Sequence, residues 1–305
     1  MSDASIGTPA HFVQDKALEA KAPPPLPTSR DWTVARIAGT TWLTLWIISG
    51  LGILWFLLNS NHVALVFADG GILPVSITHN AKFLIKYGGK FISGFIITMQ
   101  LVGTSILLGV LLSIPMTFMR MSKSRILGGI AYGYVYFFRG TPLLAQVFLI
   151  YYGAGTFRDQ LQSIDIWWFF RDAWNCAVLA FTLNTAAYQV EILRGSIQNV
   201  AKGQWEAASA LGLPKWVTFW KIILPQALIV SLRPYGNEII LMIKGSAIVA
   251  IITIYDLMGE TRRAFSRTYD FQAYVWAAIA YLVMVEILRR VWDRFEARLT
   301  RHLKR

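Results

Sequence analysis

The chain has 305 residues, of which 55% are hydrophobic and only 15% charged, against roughly 25% charged in an ordinary soluble domain. That balance excludes a soluble enzyme and predicts a polytopic, all-α membrane protein. The net charge of +12 does not mark a nucleic-acid binder, because the basic residues sit in short segments beside apolar runs, where membrane topology accounts for them. The lone cysteine, Cys176, excludes an internal disulfide, and the scattered histidines offer no metal cluster.

In chain order, residues 1–36 are polar and include "KAPPPLPTSR", a composition that predicts a disordered cytosolic tail rather than a secretory signal. Six spans follow from apolar length: 37–58, 91–119, 126 to about 152, 173–190, about 226–254 and 273–288. The third is interrupted by Arg139 and Pro142, and the fifth by "RPYGNE" and Lys244. Residues 59–90 are expected to form an external loop. The basic segments "RMSKSR" (120–125) and 289–305 belong on the cytosolic side, which places both termini and the 203–216 stretch there too. Lys82, Lys86 and Lys90 run against this assignment, as they would lie outside.

"GQWEAASALGLPKW" (203–216) reads as a two-turn helix with Glu206 in its first turn, ended by Gly212 in a left-handed conformation and blocked by Pro214. Such a helix is too short to stand alone in water. Trp205 and Trp216 suit a lipid surface, while the exposed polar face suits a groove on a soluble partner. Periodicity does not separate the two.

Glu206, Ala207, Ala208, Gly212, Ile222, Leu224 and Pro225 match the EAA motif, E-A-A-x3-G-x9-I-x-L-P, and the chain thereby resembles the integral membrane subunits of bacterial ABC importers. "FRGTPLLAQVFLIYYG" (138–153), "LNTAAYQVEILRGSIQNVAKGQWEAA" (183–208) and "NEIILMIKGSAIVAIITIYDL" (237–257) are similar to the polar amino acid branch, which includes histidine, glutamine, arginine and opine permeases. The resemblance implies a type I importer transmembrane fold: a five-helix core over 91–295, a coupling helix at 203–213, an extra N-terminal span with its loop at 37–90, and a basic tail at 296–305. It also implies several partners. These are a dimer of ATP-binding subunits carrying ATP and Mg, a second permease subunit, same or homologous, a periplasmic solute-binding protein, and the lipid of the inner membrane. One departure concerns "KGSAI" (244–248), where many relatives carry a serine or threonine pair after the lysine.

For the cargo path, Asn184, Tyr188 and Glu191 fall at i, i+4 and i+7 on one helix face. A charge deep in a span costs about 2.5–3.5 kcal/mol on insertion scales, so it invites a use. Glu191 is placed either to hold an α-ammonium or to pair with Arg194. Arg139 meets a substrate carboxylate or neutralises Glu238; Thr141 and Lys244 join the candidate path. Gly129 and Gly133, at small-xxx-small spacing, suggest close helix packing, inside the chain or across a dimer, with internal packing favoured. No phosphate loop occurs, since "YGGKF" (87–91) lacks the spacing and the hydroxyl, so the chain is expected to be a transport subunit and not an ATPase. A stand-alone proton-coupled carrier using Glu191 or Glu238 is the other reading.

Overall fold

The computed structural model describes the backbone of residues 75–301 and the side chains of 82–301; the expected tail at 1–36 and span at 37–58 lie outside the described residues. Within them the chain is helical and holds no strand. The helices are α1 (Val75–Arg120), α2 (Arg125–Gly140), α3 (Leu143–Thr156), α4 (Arg158–Ser163), α5 (Trp167–Phe170), α6 (Ala173–Gln198), α7 (Lys202–Ala210), α8 (Lys215–Thr218), α9 (Leu224–Gly245), α10 (Leu257–Thr268) and α11 (Gln272–Leu299). A π-helical turn, Phe219–Ile223, joins α8 to α9, and a 3-10 stretch, Ser246–Ile252, follows α9. Pro225, next to the π turn, has no N–H to return to the preceding turn, which favours the wider winding there.

Three stretches are each long and apolar enough to cross a membrane: Lys82–Arg120, Ala173–Gln198 and Lys215–Ile252. The pair α2–α3 takes the place of the expected third span, and α11 that of the last. Two boundaries differ from the sequence reading. The loop expected up to residue 90 is already helical from Val75, so α1 has 46 residues and is about 70 Å long at 1.5 Å per residue. Lys82, Lys86 and Lys90 therefore stand at i, i+4 and i+8 on a helical extension, with Lys86 and Lys90 both over the Tyr87 ring at 5.4 and 5.9 Å. That extension packs through Phe83 and Tyr87 against Ala264 and Ala273.

The second difference is in α9, which runs unbroken through "RPYGNE". Gly236 explains why. Its missing side chain leaves room for the Trp292 indole of α11, whose Nε1–H donates to Leu232 O at 2.9 Å. Packing across that contact holds the helix straight where Pro234 weakens it.

The core centres on α6, which packs against α1, α2, α3 and α9. Its buried residues are mostly small, including Ala177, Ala180, Ala186 and Ala187, which lets neighbouring backbones approach. At Gly109 of α1 an added Cβ would sit 2.7 Å from the Thr185 methyl. Polar side chains then tie three helices together: Ser113 of α1 donates to Gln189 Oε1, Gln189 Nε2 to Ile106 O, and Thr185 to Glu238 Oε1 of α9. In hydrocarbon such groups have no water to fall back on, and these three side chains find their partners inside the bundle. On the far side of α1, Thr98 Oγ1 accepts from Leu257 N, and buried Asp256 caps α10 through Gly259 N–H at 2.8 Å; burial pushes its carboxyl up to about 6.

Candidate functional site

The break in the third span is built by Pro142. Having no N–H, it cannot donate to the Phe138 carbonyl four residues back, which is left without a helical partner in the bundle. Two carboxamides supply what is missing: Gln146 Nε2 and Asn184 Nδ2 each donate to Phe138 O at 2.9 Å. Gln146 Nε2 also reaches Thr141 O and Oγ1, and Asn184 Nδ2 reaches Gln146 Oε1 at 3.0 Å. Tyr134 OH donates to Leu183 O at 2.6 Å, pinning α2 to α6 above the break.

With the break fixed, Arg139 projects into an open cleft, its guanidinium 5.1 Å from the Tyr188 ring centre. The cleft has two lobes, of about 560 and 500 Å³, and Arg139, Tyr188 and Glu191 border both. One lobe continues to Ser196, Asn199 and Pro234, the other to Arg120, Tyr136 and Thr141. Glu191 is already engaged. Arg194 donates to its Oε2 at 2.6 and 3.0 Å, and Arg120 Nε lies 3.4 Å from Oε1, an ion pair by distance without hydrogen-bond alignment. Arg120 in turn lies over Tyr132 at 4.9 Å. Arg139 has the ring of Tyr188 and, among the described residues, no carboxylate within ion-pair contact; Glu191 and Glu238 feel its charge from further off, and its guanidinium borders the cleft.

Of the residues the sequence singled out for the path, the structure brings together Arg139, Tyr188 and Glu191, with Thr141 at the edge. Asn184 leaves the set: its face of α6 is right, but one turn above Tyr188 that face is covered by α2 and α3, and its amide is spent on the break. Lys244 is exposed at the end of α9, away from the cleft. Glu238 is buried and accepts from Thr185; it feels the charge of Arg139 without an ion pair at contact distance. Gly129 and Gly133 have nothing within 4 Å of a Cβ among the described residues, which therefore do not supply the internal packing expected of them. Sequence reasoning missed Gln146 and Arg120; a glutamine four residues after a span-breaking proline is the signal that would have found the first.

Helix α7 carries the EAA residues. It begins at Lys202, so Glu206 stands in the second turn and not the first, exposed with Ala207, while Ala208 is buried. Its end is a complete Schellman motif: Leu213 N–H donates to Ala208 O and Gly212 N–H to Ser209 O, both at 3.0 Å, with Gly212 at φ +68°. Ile222 and Ile223 of the π turn pack with Ile197, Val200 and Ala227, so the segment after α7 is anchored on the bottom of α6. The helix that follows is α9, which lines the cleft at Val230 and Pro234.

Residues 83–305 match the family described as binding-protein-dependent transport system inner membrane component. The chain belongs to this family. It is 40% identical over 224 residues to the nopaline transport system permease protein NocM of Agrobacterium fabrum, covering 73% of this chain and 93% of that one. It is 36% identical over 215 residues to the arginine ABC transporter permease protein ArtM of Haemophilus influenzae, covering 70% and 94%. A crystal structure of an amino acid ABC transporter with histidines aligns at TM-score 0.64 and 36% identity over 70% of this chain and 96% of that chain. The type I importer fold expected from the motif is therefore the fold of this permease, and its place is an integral membrane one. It is a transport component, with the cleft on one side of α6 and the EAA helix directly after it in the chain.

Proposed function

We propose that this permease carries a polar amino acid or an opine-like derivative inward across the bacterial inner membrane, driven by ATP hydrolysed with Mg on a separate subunit pair that docks on α7. The observation that carries this reading is the self-capped, outward-facing EAA helix, joined through the π turn to α9 and so to the cleft wall. A groove on the ATP-binding subunit receives α7. Its movement passes through Gly212–Pro214 into α8 and α9 and alters the cleft at Val230 and Pro234. A second permease subunit faces the cleft and closes the path, and a binding protein delivers cargo from outside. Both termini and α7 lie in the cytosol, with residues 37–58 an added span.

In the cleft, Arg139 receives a cargo carboxylate, with Tyr188 holding the guanidinium flat for a two-point contact. Glu191, neutralised by Arg194 and Arg120, shapes the local charge and leaves Arg139 the group that recognises. Nothing observed favours a proton-coupled carrier: Glu191 is ion-paired with Arg194 and Arg120, and Glu238 accepts from Thr185. The test is ATP-dependent uptake in proteoliposomes of the permease with its ATP-binding subunit and binding protein. Arg139→Lys keeps charge but loses the planar fork and should raise the half-saturating cargo concentration roughly tenfold. Uptake driven by a pH gradient without ATP would overturn the proposal.

A further inference from the structure

A second cavity of about 190 Å³ lies on the opposite side of α6 from the cleft. Leu193 and Ile197 line it, and Leu193, two residues past Glu191, is about 200° further round the helix. Phe118 of α1, Phe219 and Trp220 of the π turn, and Leu228 of α9 complete its wall. It therefore faces away from the cleft.

Its rim is different in kind. Trp216 and Trp220 lie one turn apart with ring centres at 5.1 Å, and Trp216 is 71% exposed. Tryptophans so placed mark the membrane–water boundary. Lys215 and Lys221 flank the pair, both exposed and neither in an ion pair among the described residues. Phe118 meets Phe219 at 5.8 Å, which brings the basic 120–125 link to the same end of the slot. An apolar slot beside an interfacial indole pair, with exposed lysines next to those indoles in the chain, fits one amphiphile: a long hydrocarbon chain under an anionic headgroup.

We propose that this slot is a site for an anionic phospholipid of the cytosolic leaflet, an acyl chain lying along Leu193, Ile197 and Trp220 and the headgroup held by Lys215 and Lys221. The proposal rests on the reading of α7 as cytosolic. Because Phe219 and Trp220 belong to the segment that links α7 to α9, the bound lipid braces the connection through which ATPase movement reaches the cleft, and coupled transport depends on it.

The permease, purified with its ATP-binding and second permease subunits, is challenged in detergent with equal amounts of phosphatidylglycerol and phosphatidylcholine, and retained lipid is read by native mass spectrometry. Phosphatidylglycerol should be retained in preference, and K215S/K221S should weaken its retention about thirtyfold, the loss expected for two lysines at an anionic surface. Leu193→Trp, which fills the slot with both lysines intact, should also release it. Equal retention of the two lipids by the unaltered complex, or undiminished phosphatidylglycerol on K215S/K221S, overturns the proposal; the first comparison needs no variant to fold. Labelling a cysteine placed at Lys215 with a membrane-impermeant reagent from the periplasmic side would instead overturn the cytosolic placement, and is read separately from lipid retention.

Discussion

Two helix ends in this permease, α2 before Pro142 and α7 before Pro214, have their last carbonyls satisfied in opposite ways. At Pro142 the orphaned Phe138 carbonyl takes donors from outside its own helix, Gln146 on α3 and Asn184 on α6. At the end of α7 the carbonyls of Ala208 and Ser209 take donors from the next residues of the same strand of chain, Leu213 and Gly212. The first arrangement welds three helices into one body. The second leaves α7 complete in itself, so its side chains are free for a partner and the unit can be pushed without breaking a bond to the bundle. Under the proposed function, a break tied to three helices beside the cleft and a self-capped helix following α6 are what a lever requires.

The largest effect expected from this contrast is at the weld. Gln146→Leu removes the donor to Thr141 O and the acceptor of Asn184, stranding buried polar groups that cost about 1–3 kcal/mol each, so the detergent-solubilised protein should lose about 2–5 kcal/mol and melt well below the parent. Pro142→Ala restores an N–H to Phe138 O. In that background Asn184→Leu should cost measurably less than it does alone, by thermal unfolding in a double-mutant cycle. Strict additivity would mean that Asn184 does something other than cap the break.

A buried cap of another kind sits at the start of α10, where Asp256 holds Gly259 N–H inside the fold. Its carboxyl is pushed from an ordinary value near 3.8 up to about 6 by burial, so the folded state binds the proton more tightly than the unfolded chain. The stability this gives is complete below pH about 4 and is lost as pH rises through about 6. Asp256→Asn should flatten that part of the stability profile, by at most about 3 kcal/mol, while α7 variants leave it unchanged.

How much of this was legible in the sequence follows from how local each feature is. Gly212 at positive φ, the end of α7 and the break at Pro142 depend on a few neighbouring residues, and each was read correctly. One of the two donors to the Phe138 carbonyl, Asn184, is 46 residues away on another helix, beyond any spacing rule. Asn184 was assigned to the cleft because i, i+4, i+7 periodicity reports a face. Depth along α6 decided the matter, since the face is buried at Asn184 and open from Tyr188 onward. The three lysines before residue 91 concealed a helix that α10 and α11 stabilise from the side. Unbroken α9 depended on Trp292 filling the space at Gly236, again a tertiary fact.

At the lever's movable end the expected effects on stability are smaller and those on coupling larger. Gly212 has open space around it, so the obstacle to another residue is its φ of +68° alone. Gly212→Val should cost about 1–2 kcal/mol of local strain, leaving the melting of the bundle nearly unchanged while the ATP-binding subunit no longer co-purifies. Gly212→Asn, which tolerates the left-handed region, should retain most of the association. If valine and asparagine behave alike, the Schellman end of α7 is not what the partner reads.

Glu206 gives the smallest change in stability and the sharpest test of the contrast. It is exposed, forms no ion pair among the described residues, and lies outside the first turn where a carboxylate would aid the helix. Glu206→Ala should therefore shift stability by less than about 0.5 kcal/mol and slightly favour the helix by propensity. A side chain that does so little for its own fold is available to a partner, and its loss should lower ATP-driven uptake by roughly tenfold, the equivalent of one charge-assisted contact of about 1.4 kcal/mol. Uptake and ATPase co-purification both at parental level would return α7 to the other reading of its tryptophans, a helix resting on the lipid surface, and would leave the fixed break at Pro142 without a movable counterpart.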